Sequence, residues 1–355
     1  MDQIGEEHFP WTGKDKVEES RARATGLYGE TMDLFIGKYT MGIYERDVLI
    51  KKGVQLKRET FELLSEFFHP NAVHILDFID EDKNRVSFVV SKVDASFLAW
   101  LKAEGKQKQL MFDENGKMKT LFRDMIIELC DLVDSLLGKG IVIANSFNME
   151  DFYLTISDDG IPKLVLLLTA VKKPQYPKHD VKESWKSVRN FINSCCTECD
   201  TKLNSWGKNF SDFIGKDTFT LEMLRGYPDT WDYKMKGDYL LSLHVADQKM
   251  MRSLIKGTCV HWPKSDHVLP ELLNGLIESS EKKGYFYNDR DPYEYTALLK
   301  NSYKHFDELP EHFKSILVNR EGLLKQIERW SPDIWKNLYE IIVFLLMRHF
   351  RMKLD

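Results

Sequence analysis

The stretch that most constrains the fold is Thr120–Leu137. Its apolar residues Leu121, Met125, Ile126, Leu129, Val133 and Leu136 recur at helical spacing and share one face. Gly138-Lys139-Gly140 stops the helix. A helix with one apolar stripe needs other elements to cover it, so the flanking texture decides the fold class. Before it, from Leu27 to about Val93, the texture is strand-like. Met32–Tyr44 and Arg46–Ile50 carry alternating and β-branched residues, and Val73–Ile79 and Val86–Val90 are joined by the charged turn Asp80–Arg85. Between the two pairs, Gln55–Phe68 has apolar residues at helical spacing and is stopped by His69-Pro70-Asn71. The first part therefore reads β, β, α, β, β.

After Ala95 the texture turns helical, with a short helix at Ser96–Lys102 ahead of Thr120–Leu137. Ile141–Ile143 is a short apolar strand and Asn145–Asp151 a polar loop. Phe152–Ile156 and Pro162–Leu168 form a hairpin about Ser157-Asp158-Asp159-Gly160. His179–Cys196 reads as a buried helix. Beyond residue 224 the helical stretches are Met235–Val245, Lys249–Lys256, Val268–Lys283, Tyr293–Tyr303, Glu308–Leu317, Gly322–Ser331 and Asp333–Met352. Residues 1–25 are polar, without a clear period, and read as a loose lead-in.

At 355 residues, length alone favours two domains. A net charge of -5 supplies no global basic field, so any nucleic-acid site has to be a local patch. Tyr339–Met347 is too short for a membrane span, and Arg348, His349 and Arg351 follow it. No secretory signal opens the chain and its five cysteines are odd in number, so reduced thiols in the cytoplasm or nucleus are expected. Cys195, Cys196 and Cys199 cluster, but no second ligand pair at suitable spacing points to zinc, and thiols on a helix are the plainer reading.

Tyr287–Pro310, YNDRDPYEYTALLKNSYKHFDELP, concentrates residues suited to RNA cleavage without a metal. His305 can carry a proton near neutral pH. Lys300 and Asn301 offer cationic and amide donors for a phosphate gaining charge. Tyr287 is the candidate hydroxyl beside the attacking oxygen. A solvated helix surface would show the same residue types.

The order of elements across residues 26–225 resembles the protein-kinase fold. Val48-Leu49-Ile50-Lys51 resembles the strand bearing the ATP-binding lysine, which puts Lys51 in that role and Glu59 in that of its ion-pair partner. Gly37 and Gly42 match the outer glycines of the phosphate-covering loop, with bulky Tyr39 in place of the middle one. The family's His-Arg-Asp is replaced by Ile143-Ala144-Asn145, its metal-binding asparagine falls near Glu150-Asp151, and its Asp-Phe-Gly is replaced by Leu166-Leu167-Leu168. An amide is no base and leucine holds no Mg²⁺, which argues against kinase activity. The resemblance leaves open ATP or ADP binding without phosphoryl transfer.

Leu224–Leu243, with Tyr227-Pro228 and Trp231, resembles the junction between a kinase C-lobe and a kinase-extension nuclease (KEN) domain. That family includes the inositol-requiring kinase/ribonuclease of the unfolded protein response and the 2-5A-dependent ribonuclease RNase L. Tyr287, Lys300-Asn301, His305, Phe306 and Glu308-Leu309-Pro310 match its nuclease motif without gaps, lysine standing where the family has arginine. The resemblance implies an α+β protein: a bilobal protein-kinase-like fold (β-rich N-lobe, helical C-lobe) over 26–225, after a polar tail at 1–25, then an all-α KEN nuclease domain over 226–355. It implies metal-independent RNA transesterification to a 2′,3′-cyclic phosphate by His305, Tyr287, Asn301 and Lys300, and a homodimer paired through the kinase-like part. The alternative is an inactive pseudokinase that regulates an active relative, by mixed dimers, or another partner. RNA is the implied substrate, with no cofactor.

Overall fold

A computed structural model describes residues 16–41, 44–54, 62–64, 66–82, 85–144, 146–216, 219–243, 248–256, 260–263 and 270–340. The chain divides into two compact units, Met1–Lys216 and Asp217–Asp355. The fold is mixed α+β, with an antiparallel sheet in the N-terminal unit and a helical C-terminal unit.

The first unit opens with a five-stranded antiparallel sheet ordered β1-β2-β3-β5-β4: β1 Lys16–Thr25, β2 Thr31–Met41, β3 Tyr44–Val54, β4 Ile75–Asp82 and β5 Arg85–Val90. Strand β1 corrects the last ten residues of the loose lead-in expected over 1–25, and residues 1–15 of it lie outside the described residues. KVEESRARAT has no apolar alternation, yet it pairs along β2, Lys16 opposite Thr40 and Arg23 opposite Phe35. An edge strand exposed on its outer face needs backbone pairing more than a hydrophobic pattern. Along β2 the alternation buries Met32 and Leu34, slips by one residue at Phe35-Ile36 and resumes at Gly37 and Tyr39, while Ile50, Phe88, Val89 and Val90 are fully buried. Of the helix expected at Gln55–Phe68, residues 55–61 and 65 lie outside the described residues.

The rest of this unit is built around the helix expected at Thr120–Leu137. After β6 Ala95–Ser96, Ser96 caps the one-turn helix α1 Phe97–Trp100, which continues as a π-turn to Gly105. Helix α2, Thr120–Gly138, buries Phe122, Met125, Ile126, Leu129, Leu132, Val133 and Leu136. Gly140, at φ +69°, reverses the chain after it, a conformation that glycine adopts without strain. Strand β7 (Val142–Ile143) pairs with β10 (Val171–Lys172), and β8 (Phe152–Ile156) pairs with β6 and with β9 (Pro162–Leu166). The hairpin strand expected at Pro162–Leu168 ends at Leu166, so Leu167 and Leu168 fall just outside the observed strand. Helix α3, Pro177–Glu198, closes over β7, where the Ile143 amide donates to Ser184 Oγ at 3.0 Å. Phe97, Phe152 and Phe191 stack into its centre, with ring centroids 4.2 to 6.3 Å apart. Cys195 and Cys196 lie inside α3's buried face, and burial pushes the Cys196 thiol up to about 12. Such thiols are poor nucleophiles. Helix α4, Ser205–Phe213, completes the unit.

The second unit is helical: α5 Leu221–Arg225, α6 Tyr233–Ser242, α7 Gln248–Lys256, α8 Glu271–Glu281, α9 Pro292–Lys304, α10 Glu311–Leu317 and α11 Arg320–Trp330. A further helical stretch reaches residue 340, where the description ends, so the remainder of the helix expected at Asp333–Met352 lies outside the described residues. No helix among the described residues is long and apolar enough to cross a membrane. Trp231 packs tilted against Tyr239 and edge-on to Tyr339, and Tyr339 Oη donates to the Met223 carbonyl at 2.8 Å. Helix α6 approaches α9 closely because residue 237 is glycine, and a Cβ there would run into the Tyr303 phenol. Between α10 and α11, Val318 sits at φ 65°, ψ -51°, and the Asn319 amide donates to the Leu317 carbonyl at 2.7 Å. That is a γ-turn of the strained, positive-φ hand, held by a β-branched residue.

Candidate functional site

Helix α9 carries most of the candidate residues, and its start is fixed strongly. Asp291 caps it by accepting from the Tyr293 amide at 3.0 Å, with Pro292 in the first turn. Trp262 Nε1 donates to the Asp291 carbonyl at 2.9 Å, and Arg252 pairs with both Asp291 and Glu294. Tyr293, Tyr295, Thr296, Leu298, Leu299 and Ser302 form the buried face. Asn301 is left at the margin of that face and His305 at the helix end, one turn apart, with the His305 amide donating to the Asn301 carbonyl. Beyond the helix, buried Phe306 anchors the next turn, and Arg320 holds it from outside, bonding Asp307 and the Tyr303 carbonyl.

The opposite wall comes from the end of α8. Gly284, at φ +85°, donates to the Glu281 carbonyl and turns the chain, and the Tyr285 amide bonds back to Ser280. Tyr287 is thereby returned to α9. The two walls enclose a cavity of about 100 Å³ lined by Ser280, Lys283, Tyr285, Tyr287, Asn301, His305 and Glu308 among others.

Three of the four expected nuclease residues meet there. Asn301 Nδ2 donates to Tyr287 Oη at 2.7 Å. Half-burial raises the Tyr287 hydroxyl above its ordinary value near 10, against the lowering effect of the Asn301 bond. The phenol is therefore neutral around neutral pH. His305 Nδ1 lies 2.7 Å from Glu308 Oε1. Hydrogen bonding to His305 and then to Lys283 holds the Glu308 carboxyl below its ordinary range. An ionised carboxylate only accepts, so Nδ1 carries a proton and Nε2 is the nitrogen left for chemistry.

Lys300 is not among the residues lining this cavity. It is partly buried, and burial, then repulsion from Lys304, lowers its ammonium below the ordinary lysine range. The cation that does line the cavity is Lys283, 3.2 Å from Glu308 Oε2. In the sequence Lys283 is only the last residue of the helix expected at Val268–Lys283, with nothing in its spacing to tie it to Tyr287–Pro310.

In the first unit, Lys51 Nζ lies 3.0 Å from Asp33 Oδ2 and 3.5 Å from Asp151 Oδ1, with its side chain only 11% exposed. Asp151 Oδ2 accepts from Thr169 Oγ1 at 2.5 Å, and burial raises its carboxyl while Thr169 and Lys51 pull it down. Lys51 thus spends its charge within the chain. Glu59, the partner expected for it, lies outside the described residues, as do Gly42 and Asn145. The Tyr39 side chain is buried in a cluster with Val48 and Val89. A Cβ on Gly37 would meet Ile50 Cδ1 at 2.7 Å, so packing against β3 explains that glycine. Leu166, Leu167 and Leu168 are buried beside Asp151, and the space left there is about 10 Å³, at the lower limit for one water.

No protein-family model matches the chain, and no curated protein matches it either.

Proposed function

We propose that the second unit is an endoribonuclease of the kinase-extension type, cleaving RNA to a 2′,3′-cyclic phosphate without a metal ion, on a degenerate kinase-like scaffold. The observation that carries this reading is the meeting of Tyr287, Asn301 and His305 in one cavity, with His305 oriented by Glu308. Transesterification joins the 2′-oxygen to phosphorus and breaks the bond to the 5′-oxygen. His305, protonated on both nitrogens, gives the Nε2 proton to that leaving oxygen. Glu308 keeps Nδ1–H engaged, which fixes the ring. Asn301 donates toward the phosphoryl oxygens and Tyr287 hydrogen-bonds the 2′-hydroxyl. A neutral phenol takes no proton, so the 2′-hydroxyl proton leaves to water. In this reading the protein works in the cytoplasm or nucleus, as a dimer paired through the first unit.

The test incubates purified protein with a stem-loop RNA in EDTA. Wild type cuts and His305→Ala falls by about 10²- to 10⁴-fold. Intact RNA with wild type at every protein concentration refutes the reading, and loss of cutting on chelation refutes its metal independence.

A second reading is an inactive regulator acting by mixed dimers. It is favoured by Lys300 lying off the cavity and by the internally paired Lys51. It predicts no cutting, but inhibition or activation of a related active nuclease.

A further inference from the structure

The cavity holds two side chains that the resemblance assigns no role. Lys283 Nζ lies 3.2 Å from Glu308 Oε2 and 3.4 Å from the Glu308 carbonyl, and it lines the cavity with His305 and Asn301. Tyr285 lines the same cavity yet is 58% exposed. An exposed aromatic ring beside an exposed ammonium, across from a histidine, has the chemistry of a nucleotide subsite. A ring stacks on an unpaired base and a cation contacts the phosphate next to it.

We propose that Lys283 and Tyr285 form this subsite, Lys283 binding the scissile phosphate in the place expected for Lys300 and Tyr285 stacking on the adjoining base. The inference rests on the ribonuclease reading for its reaction but not for its ligand. Lys300 is recessed and does not line the cavity. Lys283 has only to exchange Glu308 for phosphate. Glu308 then keeps a single partner, His305 Nδ1, which secures the imidazole as the phosphate arrives. Glu308 is in this sense a positioning residue. A base held inside a duplex could not reach the Tyr285 ring, so the substrate class is a single-stranded loop.

The probe is a fluorescent stem-loop RNA whose loop nucleotides are 2′-deoxy, which binds but cannot undergo transesterification. Full-length protein is titrated with it by anisotropy across a salt series. Lys283→Met is expected to weaken binding about tenfold and to flatten the log K against log salt slope by about 0.7, the loss of one single-strand phosphate contact. Lys283→Arg restores both. Tyr285→Ala is expected to cost about tenfold and Tyr285→Phe nothing, because stacking needs only the ring. Lys300→Met loses less than Lys283→Met. Lys283 and Tyr285 are both exposed, so no variant at these two positions removes core packing. Wild-type binding by Lys283→Met or Tyr285→Ala, or a larger loss with Lys300→Met, overturns the proposal. The all-ribose version of the RNA separates the two claims. If wild type binds through Lys283 and Tyr285 without cutting, the subsite stands and the nuclease reading falls. If His305-dependent cutting persists unchanged in both variants, the subsite falls and the nuclease reading stands.

Discussion

At the scale of single residues, the cavity turns on which groups keep their protons. Burial raises the Tyr287 phenol, so the ionisation that disappears in Tyr287→Phe is expected above pH 10 in an ultraviolet difference titration. Accordingly, Tyr287 contributes no limb to a rate profile between pH 5 and 9. Glu308 shifts the other way: His305 and Lys283 stabilise its carboxylate, so His305→Ala moves its titration upward, toward the ordinary 4.5. Carbon-detected NMR of the Glu308 carboxyl checks this. With the folded-state value depressed, the carboxylate pairing is intact above the unfolded value and is lost as pH falls through the folded one. The clustering of His305, Asn301 and Tyr287 was legible in the sequence because one short stretch, Tyr287–Pro310, holds all three. Lys283 and Tyr285 were not, since their approach depends on one glycine turn that no periodicity reports.

At the scale of elements, the long periodic stretches were legible and the edge was not. Thr120–Leu137 reappears as α2 within a residue, because one wide apolar face leaves a single way to bury it. Strand β1 escaped notice for the converse reason: its residues are charged and mostly exposed, and pairing with β2 makes it a strand. Two element-scale outcomes can be measured. Gly237→Ala forces α6 away from the Tyr303 phenol on the site-bearing helix, with an expected loss of about 1–3 kcal/mol in urea unfolding and a fall in cleavage. Val318→Gly relieves a strained turn whose side chain is 75% exposed, and is expected to stabilise by about 1 kcal/mol, read as a higher unfolding midpoint.

At the scale of the whole molecule, charge and division into units set the expectations. With a net charge of -5, the RNA binding proposed above depends on a few local cations, so the salt slope of the intact protein should correspond to about one to three phosphates. A slope of six or more would place the RNA on a much larger surface than the cavity. The order of β-rich and helical segments was legible because periodicity changes from two to 3.6 along the chain. The boundary was less so: the compact units meet at Lys216 and Asp217, nine residues before the expected 225/226 boundary, at no glycine- or proline-rich linker. The pairing of Lys51 with Asp33 and Asp151 bears on how this protein answers an added anion. A nucleotide's phosphates would have to compete with two carboxylates already seated on the ammonium. Millimolar ATP or ADP is therefore expected to leave the thermal melting temperature unchanged, and a rise that Lys51→Met abolishes would show that the phosphates win the exchange.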